Sequence, residues 1–178
     1  VEFTEIVFDG FRVPASAVLG GEEKIGEGFK QFMSAVELGR VNVAARAVGL
    51  ATCALEQAIA YAKERETFGK PIARHQAIQM KIAEMATKLR AAELLMLDAA
   101  RLKSTGARAD LQAGMAKLFA TEVAMENATE AMRIHGGYGY SQEVMVERLY
   151  RDAPLLVLGE GTHENQHLVI AARVLADG

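Results

Sequence analysis

Ile78, Ile82, Met85, Leu89, Ala92, Met96 and Ala99 follow one another at intervals of four and three. With about 3.6 residues per helical turn, that spacing puts all of them on one face of an α-helix. No other feature constrains the fold as much, because so long an apolar stripe must be buried against a partner.

Partners of the same kind lie on both sides. An alanine-rich, proline-free stretch from about Phe29 to Arg65 carries Phe29, Phe32, Met33 and Val36 at helical spacing. The striped helix ends near 104-STG-106, and a third helix follows from about Asp110 to His135, with Leu111, Met115, Leu118, Met125 and Met132 along it. Glycines 136, 137 and 139 stop it. Ser141 can cap a short helix through Tyr150, and Thr162 or His163 can open a last one. The short connections predict a mainly α fold, an antiparallel up-and-down helical bundle of about four main helices. The eight methionines read as core filling.

The opening has a different period. Val1, Phe3, Ile6, Phe8, Phe11 and Val13 alternate loosely around 9-DG-10 and stop at Pro14, which suits two short strands or one hairpin. Two strands alone are marginal in water and need a sheet to join. The chain starts without methionine and with this pattern under way. It is therefore expected to be a piece of a longer protein. Residues 1–20 would be the β-strand remnant of a preceding domain, and residues 21–178 the bundle.

Composition excludes several classes. A chain of 178 residues, 51% hydrophobic and 24% charged, is globular and long enough for one real core. A formal charge of −3 argues against a nucleic-acid surface. No uninterrupted apolar run approaches the roughly 18 residues of a membrane span. The single cysteine, Cys53, cannot form an internal disulfide; it reads as a packing residue and fits a reducing compartment, the cytoplasm or, in a eukaryote, the mitochondrial matrix.

The segment 160-EGTHENQH-167 spells the zinc-protease pattern H-E-x-x-H. A third ligand would be needed, and the residues after His167 offer no His, Cys or Glu and one acid, Asp177. Glu160-x-x-His163 and Glu164-x-x-His167 also match the di-iron E-x-x-H pattern, but such a site takes its two copies from separate helices. No metal is expected. The acid outside the zinc pattern, Glu160, follows the apolar run 155-LLVL-158 and precedes a glycine.

Two further stretches can be read in two ways. The tract 64-ERETFGKPI-72 is either a plain connection with Arg65 at a helix C-terminus, or a phosphate grip of arginine, threonine, aromatic and glycine. The tract 133-RIHGGYGYS-141 is either a glycine stop or a backbone surface that a ligand can approach closely. It does not match the dinucleotide pattern G-x-G-x-x-G.

Taken in order, 64-ERETFGKPI-72, 75-HQ-76, 135-HGGYGY-140, 147-ERLYRDA-153 and 160-EGT-162 resemble the C-terminal part of acyl-CoA dehydrogenases. The segment 13-VPASAVLG-20 is similar to the end of that family's middle β-domain. The resemblance implies an FAD-dependent oxidoreductase that dehydrogenates an acyl-CoA thioester between its α and β carbons. It further implies a homo-oligomer, dimer or tetramer, that passes electrons to an electron-transfer flavoprotein.

The implied roles fall on particular residues. Glu160 matches the catalytic base. Arg65, Thr67 and Phe68 match the turn at the FAD pyrophosphate, in the family typically across a subunit boundary. His75 and Gln76 match a second FAD-contacting pair, and Gly136 and Gly137 the backbone near the adenosine end. Thr162 and Glu164 match flavin-contacting positions, and Glu37 with Arg40 a pair associated with the acyl-CoA ligand. Three positions depart from the common pattern. Arg133, counted with the cofactor contacts, replaces a frequent glutamine; Gly159 replaces a bulkier residue; and Gly39 lies where some members carry the base on the first long helix.

The chemistry agrees with these residues. Removing a proton beside a thioester carbonyl needs a carboxylate, and apolar surroundings such as 155-LLVL-158 would raise its pKa toward neutrality. Gly161 leaves room for substrate. Two alternatives are a non-catalytic oligomerisation bundle of the same fold and a related flavin oxidase. Aspartate in place of Glu160 would have favoured nitroalkane chemistry.

Overall fold

A computed structural model describes residues 4–176. Five helices dominate: α1 (Gly28–Glu64), α2 (Gln76–Ser104), α3 (Asp110–His135), α4 (Met145–Leu158) and α5 (His163–Ala176). The three long ones match the expected segments closely. Among the described residues, the strands are β1 (Glu66–Thr67) and β2 (Lys70–Pro71), an antiparallel pair with Thr67 opposite Lys70. A two-residue loop, Phe68 and Gly69, joins them, both at positive φ (52° and 74°), as a primed hairpin turn requires.

The chain divides into two compact units, Val1–Val36 and Glu37–Gly178. Within the first unit, residues 4–14 form no strand ladder, and Ile6, Phe8, Phe11 and Val13 are exposed. The expected strand pairing is thus absent from these residues, in keeping with strands that need a sheet to join. The Gln31 side chain donates to the Leu19 carbonyl (3.0 Å) and tethers this segment to the start of α1.

In the second unit, α3 packs against α2, α4 and α5. The striped face of α2 is turned inward: Met85, Ala92 and Ala99 are buried, with Ile78, Ile82, Leu89 and Met96 packed against the two core clusters. The core is alanine rather than methionine. Ala44, Ala47, Ala51, Ala54, Ala58 and Ala62 of α1 and Ala113, Ala116, Ala120, Ala124, Ala128 and Ala131 of α3 are fully buried. Small side chains at steps of three and four let backbones approach closely, which leaves long methionines at the margins. Among the described methionines only Met85 is buried, and Met33, Met80 and Met145 are exposed.

α1 is long and apolar enough, by length and composition, to cross a membrane. Its fully buried alanines are what the core helix of a bundle also shows. α4 begins at Met145, four residues later than Ser141. The Ser141 hydroxyl instead accepts the Glu143 N–H (3.3 Å) in the preceding turn.

Candidate functional site

Glu160 sits in the turn between α4 and α5. α4 is followed by Gly159, whose backbone is extended (φ −65°), and then by Glu160, which is left-handed at φ 54° ahead of Gly161 at φ 91°. Such a conformation costs a non-glycine residue on the order of 1–3 kcal/mol and persists only where the surroundings impose it. Among the described residues only Phe68 and Glu160 are non-glycines at positive φ, and both belong to motifs singled out from the sequence.

The Glu160 carboxylate lies against α1. A Cβ built on Gly39 would be 2.6 Å from its Oε2 and 2.7 Å from its Cδ. A side chain at 39 and the Glu160 carboxylate therefore compete for one space, the two places at which the family resemblance puts a base. Glu160 is exposed here rather than enclosed, and of the apolar run before it Leu156 is buried while Leu158 is 60% exposed.

Beneath the turn lies a set of buried polar side chains. Lys117 of α3 is fully buried, and its Nζ donates to the carbonyls of Val157 (2.6 Å) and Gly161 (2.8 Å). Burial first, then the charge of Arg40, pushes its pKa down to about 8, against the pull of Glu164 and Glu160. Gln166 of α5, also fully buried, donates to the carbonyls of Glu160 and Gly161, both at 3.2 Å. Arg40 is 6% exposed, and its Nε has no hydrogen-bond partner. Glu37, its companion in the sequence motif, accepts from Lys103 Nζ (2.9 Å) and the Ala109 N–H (2.8 Å), tying α1 to the α2–α3 connection.

The zinc-like segment is occupied otherwise. His163 Nε2 and the Thr121 hydroxyl are 2.7 Å apart, and burial followed by the Lys117 charge lowers the His163 pKa below 6.5. No three His, Cys, Asp or Glu side chains among the described residues are grouped to hold a metal. The Glu164 carboxyl is held below 4.5, first by its hydrogen bond with Thr162.

A second cluster forms at the far end of α1. Tyr61, Arg65, Thr67, Ile134, Gly136 and Gly137 help to line a cleft of about 550 Å³, within the roughly 300–1,000 Å³ of small-molecule sites. The Thr67 hydroxyl is 3.0 Å from His75 Nε2, whose ring meets Phe68 edge-on at 6.1 Å. Tyr61 stacks on His135 at 4.2 Å, and His135 Nδ1 lies 2.8 Å from the Ala131 carbonyl. Gln76, the first residue of α2, is exposed nearby in sequence. Arg133 is not in this cleft: it is exposed and bonds Glu130 at 2.6 Å. Glu160, Thr162 and Glu164 do not line it either.

Sequence reading missed Lys117 and Gln166. Lys117 stands among Ala113, Ala116 and Ala120 on the face of α3 that the alanine steps mark as buried, so a charge was visible where none belongs.

The family model for the C-terminal domain of acyl-CoA dehydrogenases matches residues 26–175. The chain belongs to the acyl-CoA dehydrogenase family. It is 48% identical over 171 residues to the probable acyl-CoA dehydrogenase YngJ of Bacillus subtilis, covering 96% of this chain and 44% of that protein. Identity to the caffeyl-CoA reductase-Etf complex subunit CarC of Acetobacterium woodii is 44% over 172 residues, covering 97% and 45%. The butyryl-CoA dehydrogenase structure from Megasphaera elsdenii superimposes with a TM-score of 0.83 at 43% identity, over 84% of this chain and 39% of that one. The chain thus spans about half the length of the curated relatives it matches. This family domain is helical, as expected, with a two-stranded hairpin between α1 and α2.

Proposed function

We propose that this acyl-CoA dehydrogenase domain supplies the base and part of the flavin site for α,β-dehydrogenation of an acyl-CoA thioester. The observation that carries the reading is the strained, left-handed Glu160, whose carboxylate is seated in the one gap that Gly39 leaves on α1. Glu160 takes the α-proton onto its carboxylate. FAD, when bound, supplies the acceptor for the hydrogen that leaves the β-carbon as hydride.

The second cluster fits the pyrophosphate and adenosine end of FAD. Its donor set is an exposed guanidinium from Arg65, the Thr67 hydroxyl and the backbone at Gly136 and Gly137, lining one cleft. The two clusters do not serve one cofactor molecule within one chain. Glu160 abuts Gly39, and Arg65 follows the end of α1 at Glu64, about 37 Å further along the helix at 1.5 Å per residue. That separation supports a homo-oligomer in which each flavin takes its base from one chain and its Arg65 cleft from another. CarC is named as part of an Etf complex, and electron-transfer flavoprotein is accordingly the proposed electron partner. The same base serves either direction, since a reductase returns the α-proton through it.

Glu160→Gln in the full-length protein tests the reading. Glutamine keeps the shape but cannot accept the proton, so flavin reduction by acyl-CoA should fall by about 10²–10⁴ with FAD content near normal. His163→Ala, fatal if the segment bound zinc, should be mild. A normal reduction rate in Glu160→Gln with a dead His163→Ala would reverse the assignment.

A further inference from the structure

The Glu160 turn is held from beneath by two side chains that are fully buried. Lys117 bonds the Val157 carbonyl, three residues before Glu160, and the Gly161 carbonyl, one residue after it. Gln166 bonds the carbonyl of Glu160 itself and again that of Gly161. Three carbonyls are thereby gathered onto two buried donors, and they include that of Glu160, a non-glycine at positive φ.

Capping α4 alone would not need this arrangement. The Val157 carbonyl belongs to the last turn of α4, where a cation is favourable, but the second Lys117 bond reaches past the helix end to Gly161. A buried ammonium is also an expensive way to fill an alanine face. No carboxylate among the described residues forms a salt bridge with it; both of its hydrogen bonds go to the turn.

We propose that Lys117 is a positioning residue for Glu160: its ammonium, with Gln166 beside it, locks the left-handed turn and so sets where the carboxylate stands over Gly39. This rests on the reading of Glu160 as the base. Lys117 touches neither substrate nor flavin in this scheme and acts through the backbone.

The test uses the full-length protein and anaerobic flavin reduction by acyl-CoA. Lys117→Met should slow reduction by about 10²-fold, the cost of a displacement near 1 Å at a reacting group. FAD content and the substrate KM should change by less than about threefold, because the loss lies in the chemical step. Combining Lys117→Met with Glu160→Gln should slow the reaction no further than Glu160→Gln alone, since both act through one carboxylate. Lys117→Ala should regain rate with propylammonium, which restores the missing chain and charge, and not with propan-1-ol.

Several results would overturn the proposal: a wild-type rate in Lys117→Met, equal rescue by propan-1-ol, or a raised KM with unchanged kcat. Should Lys117→Met fail to fold, Gln166→Leu carries the test, expected to be about tenfold slower at constant KM, and a wild-type rate there is equally fatal. A wild-type rate in Glu160→Gln would instead remove the base assignment, whatever Lys117 does. Glu160→Gln slow beside Lys117→Met normal would remove this proposal only.

Discussion

Adding a single methyl group at Gly39 separates the fold from the function. The new Cβ would stand 2.6 Å from Glu160 Oε2 and 2.7 Å from Cδ, where ordinary contact begins near 3.4–3.5 Å. The carboxylate must therefore retreat by roughly 0.8 Å. It can do so cheaply, because it is the end of an exposed, flexible side chain. Gly39 lies inside α1 without positive φ, so alanine there should gain up to about 1 kcal/mol of helix propensity. Stability should thus hold or rise, while a base moved by almost 1 Å should slow flavin reduction about 10–10²-fold. Thermal unfolding and anaerobic stopped-flow reduction of full-length Gly39→Ala measure the two effects side by side. An unchanged reduction rate would mean that the carboxylate does not work from its seat on Gly39. A large loss of stability would mean that the turn, and not just the side chain, is wedged against α1.

Glu37 titrates below its usual 4.5: burial opposes ionisation, but the bonds from Lys103 and the Ala109 N–H and the charges of Lys103 and Arg108 outweigh it. A depressed carboxylate adds stability above about pH 4.5 that is lost as pH falls through its folded value, so denaturant titrations should show a shallower acid limb in Glu37→Gln; parallel curves would refute this. Arg65→Ala should weaken FAD retention by about one to two decades, each charge-assisted bond to pyrophosphate being worth about 1.5–3 kcal/mol. Co-expressed with Glu160→Gln, it should regain activity, since hybrid oligomers hold one site with both parts intact; no recovery would argue that base and cleft belong to the same chain.

The helices were legible because burial is periodic. The α2 stripe predicts its own orientation, and the boundaries of α1 and α3 and the end of α2 fall within a residue or two of the expected ones. The site was legible as motifs but not as places. Arg65, Thr67, Gly136 and Gly137 come together across some 70 residues only because α1 and α3 end side by side. The strands expected at residues 1–13 are not formed over residues 4–13, since strand pairing depends on a partner outside the segment. Methionine was misjudged for a related reason. Composition says that a residue is apolar, but the alanine steps filled most of the interface and left every described methionine except Met85 at its margin or exposed.

Phe68 and Glu160 depart from local rules in the same way. Each is a bulky or charged residue at a left-handed position, followed by a glycine that is itself at positive φ, Gly69 (74°) in one case and Gly161 (91°) in the other. Local propensity would favour glycine at both positions of each pair. The first residue of each pair instead carries a side chain, which projects outward from the turn: Phe68 is 97% exposed and Glu160 is exposed toward Gly39. Such an arrangement does nothing for the core, so its cost must be met by neighbours that hold the turn. For Phe68 these are the β1–β2 pairing and the His75 ring. For Glu160 they are Lys117 and Gln166. The buried lysine among alanines and the strained glutamate in a turn are therefore two ends of one device, and neither is intelligible from the stability of the bundle alone.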